Sequence, residues 1–233
     1  MQDLSRRTFA RHRFSRHTLS RRTFLAASAL STLAATISPA LRAQHQPCCG
    51  LITPAGQRLA ATLDSMHVES LWLPDRHINW ETGEPDRGAA YEGPGNHTHC
   101  SAFAAAAAKR LNVYLLRPPE HGQELLSNAQ VKWLPSPEGR KAGWRPVRDQ
   151  REAQHLANQG QLLLALFENP DPHKPGHVAI VRPSEKPARA LEENGPEIIM
   201  AGQHNHQRTN VRIGFSNHLG AWPSGVRYFA HTL

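Results

Sequence analysis

Cysteine is scarce, with three in 233 residues. Cys48 and Cys49 are adjacent and Cys100 stands alone, which excludes a disulfide framework and leaves the neighbouring pair as either a vicinal disulfide or two thiols. Aromatic residues make up only 6% of the chain, so each large ring needs a reason for its place. No apolar run approaches the roughly 20 residues that a bilayer core requires, and no retained membrane span is expected.

A strong charge imbalance is also missing, once the leader is set apart. Ser20-Arg21-Arg22-Thr23-Phe24-Leu25 runs into an apolar stretch ending at Ile37, followed by the small-residue sites Ser38-Pro39-Ala40 and Leu41-Arg42-Ala43. This is the layout of a twin-arginine export signal, with cleavage after Ala43 favoured over Ala40. It predicts a periplasmic or secreted protein that meets the twin-arginine translocase during export. Residues 1–43 hold eight of the 27 Lys+Arg and one of the 19 Asp+Glu. The remaining 19 bases and 18 acids give a net charge of +1 where the whole chain has +8. A nucleic-acid partner, which a high net charge suggests, is therefore not expected.

Residues 44–233 suit one domain. Thr53-Pro54 opens a helix, an N-cap hydroxyl followed by proline at the first position, with Leu59, Leu63 and Met66 on one face and an end near His67. Val68 to Leu73 and Val113 to Leu116 read as short strands, Glu120 to Gln130 as a helix, and residues 131–147 as a loop. Asp149 caps a helix running to Asn158, which Gly160 terminates. Four strands follow, at Leu162–Phe167, His177–Val181, Glu197–Ala201 and Val226–Ala230. Helices first and an antiparallel sheet second make an α+β fold.

The chain is organised around Asn96-His97-Thr98-His99-Cys100-Ser101, which leads into Ala102-Phe103 and five alanines. Alanine is the best helix former and lets neighbours approach closely, so Cys100 is expected at the head of a buried helix. Unpaired N–H groups there favour a thiolate. Gly176-His177-Val178-Ala179-Ile180-Val181 supplies a histidine at a strand start.

These two stretches resemble the papain-like cysteine peptidases of bacterial cell walls, the CHAP and NlpC/P60 families, over about residues 96–205. The resemblance implies a papain-like fold in which the nucleophile helix packs on a small antiparallel sheet. It implies Cys100 as nucleophile, His177 as base, and Gln203 and Asn205, two positions apart, as the polar residues that orient the imidazole. Asn96 and His99 are expected to assist an oxyanion site. Trp72, Trp80 and Tyr91, on the turn-rich approach to Cys100, are candidates for stacking on substrate. The implied activity is a cofactor-free thiol amidase or endopeptidase acting on peptidoglycan stem peptides.

Two other readings stand beside it. One is a catalytically inactive papain-like module that binds cell-wall glycopeptide. The other is an exported metal-binding protein using His97, His99 and Cys100, His204 and His206, or His173 and His177, although no two of these clusters match a familiar ligand spacing.

Overall fold

Residues 47–92 and 97–233 are described by the computed structural model. The expected leader, both cleavage points and Asn96 lie outside the described residues. Helix α1 spans Pro54–Asp64, with the Thr53 hydroxyl accepting from the Gly56 N–H at 3.2 Å. It stops three residues earlier than expected because His67 takes a left-handed conformation, φ 51°. At Gly56 a Cβ would sit 2.3 Å from the Asn158 carbonyl oxygen, so glycine here lets α1 close against the end of a later helix.

The stretch read as a strand at Val68–Leu73 is instead a run of turns. Its carbonyls go to a side chain: Asn205 Nδ2 donates to the oxygens of Val68, Leu71 and Trp72 at 2.7, 2.9 and 3.2 Å. A strand cannot form where its acceptors are taken this way. Strands β1, Arg76–Ile78, and β2, Pro85–Ala90, then make a two-stranded antiparallel sheet that the sequence reading missed.

Helix α2 is Cys100–Arg110 and is buried from Cys100 to Ala108. The expected strand at Val113–Leu116 is irregular. Trp144 Nε1 donates to the Tyr114 carbonyl and Gln130 Nε2 to that of Leu116, so side chains replace the ladder partner. Helices α3, Leu126–Trp133, and α4, Pro137–Lys141, follow, and then strand β3, Arg145–Val147. Helix α5 runs from Gln150 to Asn158 with the Asp149 carboxylate accepting from the Glu152 N–H at 2.9 Å. The C-terminal part comprises β4 Leu162–Phe167, β5 His177–Val181, α6 Ala188–Asn194, β6 Glu197–Met200, β7 His206–Asn210, α7 Val211–Gly214 and β8 Arg227–His231.

Six strands form one antiparallel sheet in the order β3-β8-β4-β5-β6-β7. The fold is thus a mixture of helix and antiparallel sheet, as expected. Strand β4 is wholly apolar because it is covered on both faces. Leu162, Leu164 and Leu166 join the alanines and Phe103 of α2, while Leu163, Ala165 and Phe167 join Ala153 and Ala157 of α5 and Phe215. Val178 and Ile180 of β5 face α2, whereas Ala179 and Val181 face the second layer. Among the described residues no helix is long and apolar enough to cross a membrane.

Arg182, at the end of β5, is fully buried. Its Nη2 lies 2.8 Å from Asp64, its Nε 3.4 Å from Glu197, and its Nη1 donates to the Gln207 carbonyl at 3.0 Å. One guanidinium therefore ties α1 to β6 and β7. Replacing a buried ion-pair member leaves its partners unpaired, at a cost of about 3–5 kcal/mol. Asp64 is half exposed and Glu197 keeps Arg208 at 2.7 Å. Arg182→Ala is accordingly expected to lose about 3 kcal/mol, at the lower end of that range, in urea unfolding. A loss below about 0.5 kcal/mol would show the tie to be incidental.

Candidate functional site

The site begins where α2 begins. No side chain caps this helix: His99 occupies the N-cap position without a capping hydrogen bond, and Cys100 is the first helical residue. Around the Cys100 sulfur lie the backbone N–H groups of Val178, Ser101 and Cys100 itself, and the Ser101 hydroxyl, all of which favour thiolate. Burial outweighs them. The thiol is pushed above its ordinary range because no charge compensates its removal from water. Cys100 is the free cysteine among the described residues; Cys48 and Cys49 are joined as a vicinal disulfide.

The contact with Val178 matters because Val178 follows His177. Gly176 and Asn128 fix this strand start. The Gly176 N–H donates to Asn128 Oδ1 at 2.7 Å, and a Cβ at Gly176 would fall 2.2 Å from the Phe167 carbonyl oxygen. Only glycine fits between the two, which explains the Gly-His pair. His177 is 3% exposed, stacked on His218 at 5.0 Å and edge-on to Phe215 at 4.7 Å. Its Nε2 is buried and has no hydrogen-bond partner. Burial, with a smaller contribution from His218, pulls its pKa down to about 3, so the ring is neutral at pH 7.

The expected thiol–imidazole hydrogen bond is therefore not made: by strand alternation His177 points away from α2, which Val178 faces, and its ring packs on Phe215 and His218. Cys100 and His177 line two adjoining cavities, of about 530 and 420 Å³, that share Thr98 and Pro175. The sulfur lies near the Val178 N–H, beside the histidine in the chain, and the ring packs in the second layer on Phe215 and His218.

Other expected residues are placed differently. Strand β6 stops at Met200, and residues 201–205 turn. Gln203 and Asn205 thus do not share a strand face. Gln203 is exposed on the rim of the His177 cavity. Asn205 is committed elsewhere: its Oδ1 accepts from Gly202 at 2.9 Å and its Nδ2 holds the carbonyls of residues 68–72. It secures a turn and does not orient the imidazole. His99 Nε2 lies 2.9 Å from the Arg76 carbonyl, so His99 fastens α2 to β1 and has no free donor there for an oxyanion. Burial lowers its pKa.

Neither tryptophan lines the two cavities. Trp72 is fully buried, edge-on to Phe103 at 5.2 Å, with Nε1 donating to the Trp80 carbonyl. Trp80 packs on the core with Lys109 Nζ 5.5 Å above its ring. Tyr91 does line the Cys100 cavity, stacked on His97 at 4.3 Å and against His77 at 3.9 Å. The histidine clusters do not converge: among the described residues no group of three or more His, Cys, Asp or Glu is placed to hold a metal ion.

Thr98, Pro175, Glu124, Gly202 and His218 belong to the cavities but were not singled out from sequence. None carries a local signal; they converge through the turns before α2, α3 and β5 and after β6 and α7. No protein-family model matches the chain, and no curated protein matches it.

His177 should mark itself in the pH dependence of stability. Its folded pKa of about 3 lies below the ordinary 6.5. The unfolded chain therefore takes up a proton first as pH falls, and stability is lost below pH 6.5, by up to about 1.4 kcal/mol per unit, until pH approaches about 3. Urea midpoints of wild type and His177→Gln should diverge in slope across that window. Parallel curves would show a ring free to charge in the folded state.

Proposed function

We propose that this chain is an exported thiol hydrolase of papain-like architecture that cleaves amide bonds in peptidoglycan stem peptides. One observation carries the reading: a cysteine at the uncapped head of a buried helix lies near the backbone N–H that follows a histidine whose own Nε2 is buried without a partner. A buried polar atom left unpaired is costly, and such atoms concentrate where chemistry needs them. The leader layout, the Cys-helix and the Gly-His strand support the choice of compartment and substrate.

In this state both members are neutral, and they stand apart: the thiol lines the cavity on the α2 side of β5, and the imidazole packs on Phe215 and His218 in the other. Attack is thus coupled to proton transfer. The reaction therefore requires the His177 ring to turn from Phe215 and His218 towards the sulfur as substrate enters across Thr98 and Pro175; it then takes the thiol proton while the sulfur bonds to the amide carbonyl carbon. Backbone N–H groups at the head of α2 receive the developing oxyanion. Collapse breaks the C–N bond, and the imidazolium delivers its proton to the departing amine. Water then attacks the thioester, with His177 accepting its proton and returning it to sulfur, releasing a carboxylic acid. Catalytic hydrogen bonds of this kind often tighten only when substrate is bound.

The raised thiol pKa and the unmade hydrogen bond favour a second reading, the inactive module that binds cell-wall glycopeptide. The two separate in one experiment. Purified sacculi are incubated with wild type, Cys100→Ser and His177→Ala, and soluble fragments are analysed by mass. The hydrolase releases fragments with newly freed amine and carboxyl ends, reduced at least about 100-fold in either variant. Sacculus binding without release, together with iodoacetamide labelling of Cys100 that is slow at pH 7 and indifferent to His177, would establish the module instead.

A further inference from the structure

The two cavities flanking Thr98 and Pro175 differ in chemistry. Among the described residues lining the Cys100 cavity, Glu124 is the one charged side chain. The His177 cavity holds four imidazoles, His177, His204, His206 and His218, with the carboxamides of Gln203 and Asn217. No acidic, lysine or arginine side chain is among its described lining residues. His177 is more than nine-tenths buried, and its unpartnered Nε2 belongs to this wall. Each neutral imidazole offers one N–H and each carboxamide two, so this wall supplies several donors and no carboxylate, while the other cavity, which holds His97 and His99, also presents Glu124.

We infer that the His177 cavity is the leaving-group subsite and that it takes an amine bearing a carboxylate, such as the α-carboxyl of an amino acid or short peptide. Its part as a leaving-group subsite rests on the hydrolase reading. An imidazole that protonates the departing nitrogen must lie on that nitrogen's side of the scissile bond, so the amine portion falls among the imidazoles and the acyl portion beside Cys100. A carboxylate is stabilised by several N–H donors in a concave site and is repelled by Glu124. The scissile amide then crosses Thr98 and Pro175, which both cavities share. This assigns Gln203 and His204, both exposed at the rim, to recognition of the departing end.

Glycylglycine and glycylglycinamide differ only in the carboxylate and serve as probes. They are titrated into the Cys100→Ser protein while the histidine ring signals are followed by NMR. Glycylglycine should bind about tenfold more tightly than the amide and move the His177 and His218 signals. Gln203→Ala with His204→Ala should weaken it at least about fivefold, while Glu124→Gln should not weaken it. Equal affinity for the two probes, or shifts confined to His97 and His99, would overturn the inference. Cys100-dependent cleavage of sacculi with equal probe affinities leaves the hydrolase standing and removes the subsite. Selective glycylglycine binding in a protein that cleaves nothing supports a carboxylate cavity and removes the hydrolase.

Discussion

The approach of α2 to β5 is the constraint on which the rest of this structure depends. Ala102 and Ala104 to Ala108 are all at most 1% exposed, so the helix is enclosed by protein on every side. Alanine allows this because it brings no bulk, and the backbone of the helix head can reach the backbone of β5. Larger residues there would lift α2 away and separate the Cys100 sulfur from the Val178 N–H. The sheet answers with Val178 and Ile180 on the facing side. Packing of this density fixes position more tightly than any single hydrogen bond at the site.

Burial also sets the electrostatics. The N–H groups around Cys100 favour thiolate, and the helix head adds to them, yet removal from water dominates and raises the thiol. The same effect keeps His177 neutral. A site built this way stores no ion pair. A charge can form on either group only where something replaces the lost solvation.

Periodicity and capping were legible wherever the local sequence had no competitor. Thr53-Pro54, Asp149 and Gly160 set helix ends by their own backbone chemistry, and the two apolar strands β4 and β5 follow from an unbroken hydrophobic run. The two misread strands share one cause. At Val68–Leu73 and Val113–Leu116 apolar residues with strand propensity are present, but Asn205, Trp144 and Gln130 take the carbonyls a strand would use. Those partners come from more than 10 residues away, beyond the reach of pattern reading. The site divides in the same way. Cys100 at a helix head and His177 at a strand start are local facts, and both were visible. Gln203 and Asn205 were assigned by alternation along a strand that ends at Met200, where a turn intervenes. Trp72 precedes Cys100 on a turn-rich segment, which suggests a place at the site, but its left-handed backbone and its bond to Trp80 turn it into the core.

Asn128 links two parts of the molecule that are 48 residues apart in the chain. Through Nδ2 it grips the Lys174 carbonyl and through Oδ1 the Gly176 N–H, so the start of α3 and the start of β5 are riveted together. The segment just before it forms one wall of the Cys100 cavity, and the segment just after Gly176 carries the imidazole. A shift at the start of α3 therefore reaches the start of β5 through two hydrogen bonds of one side chain, a shorter route than the chain itself offers.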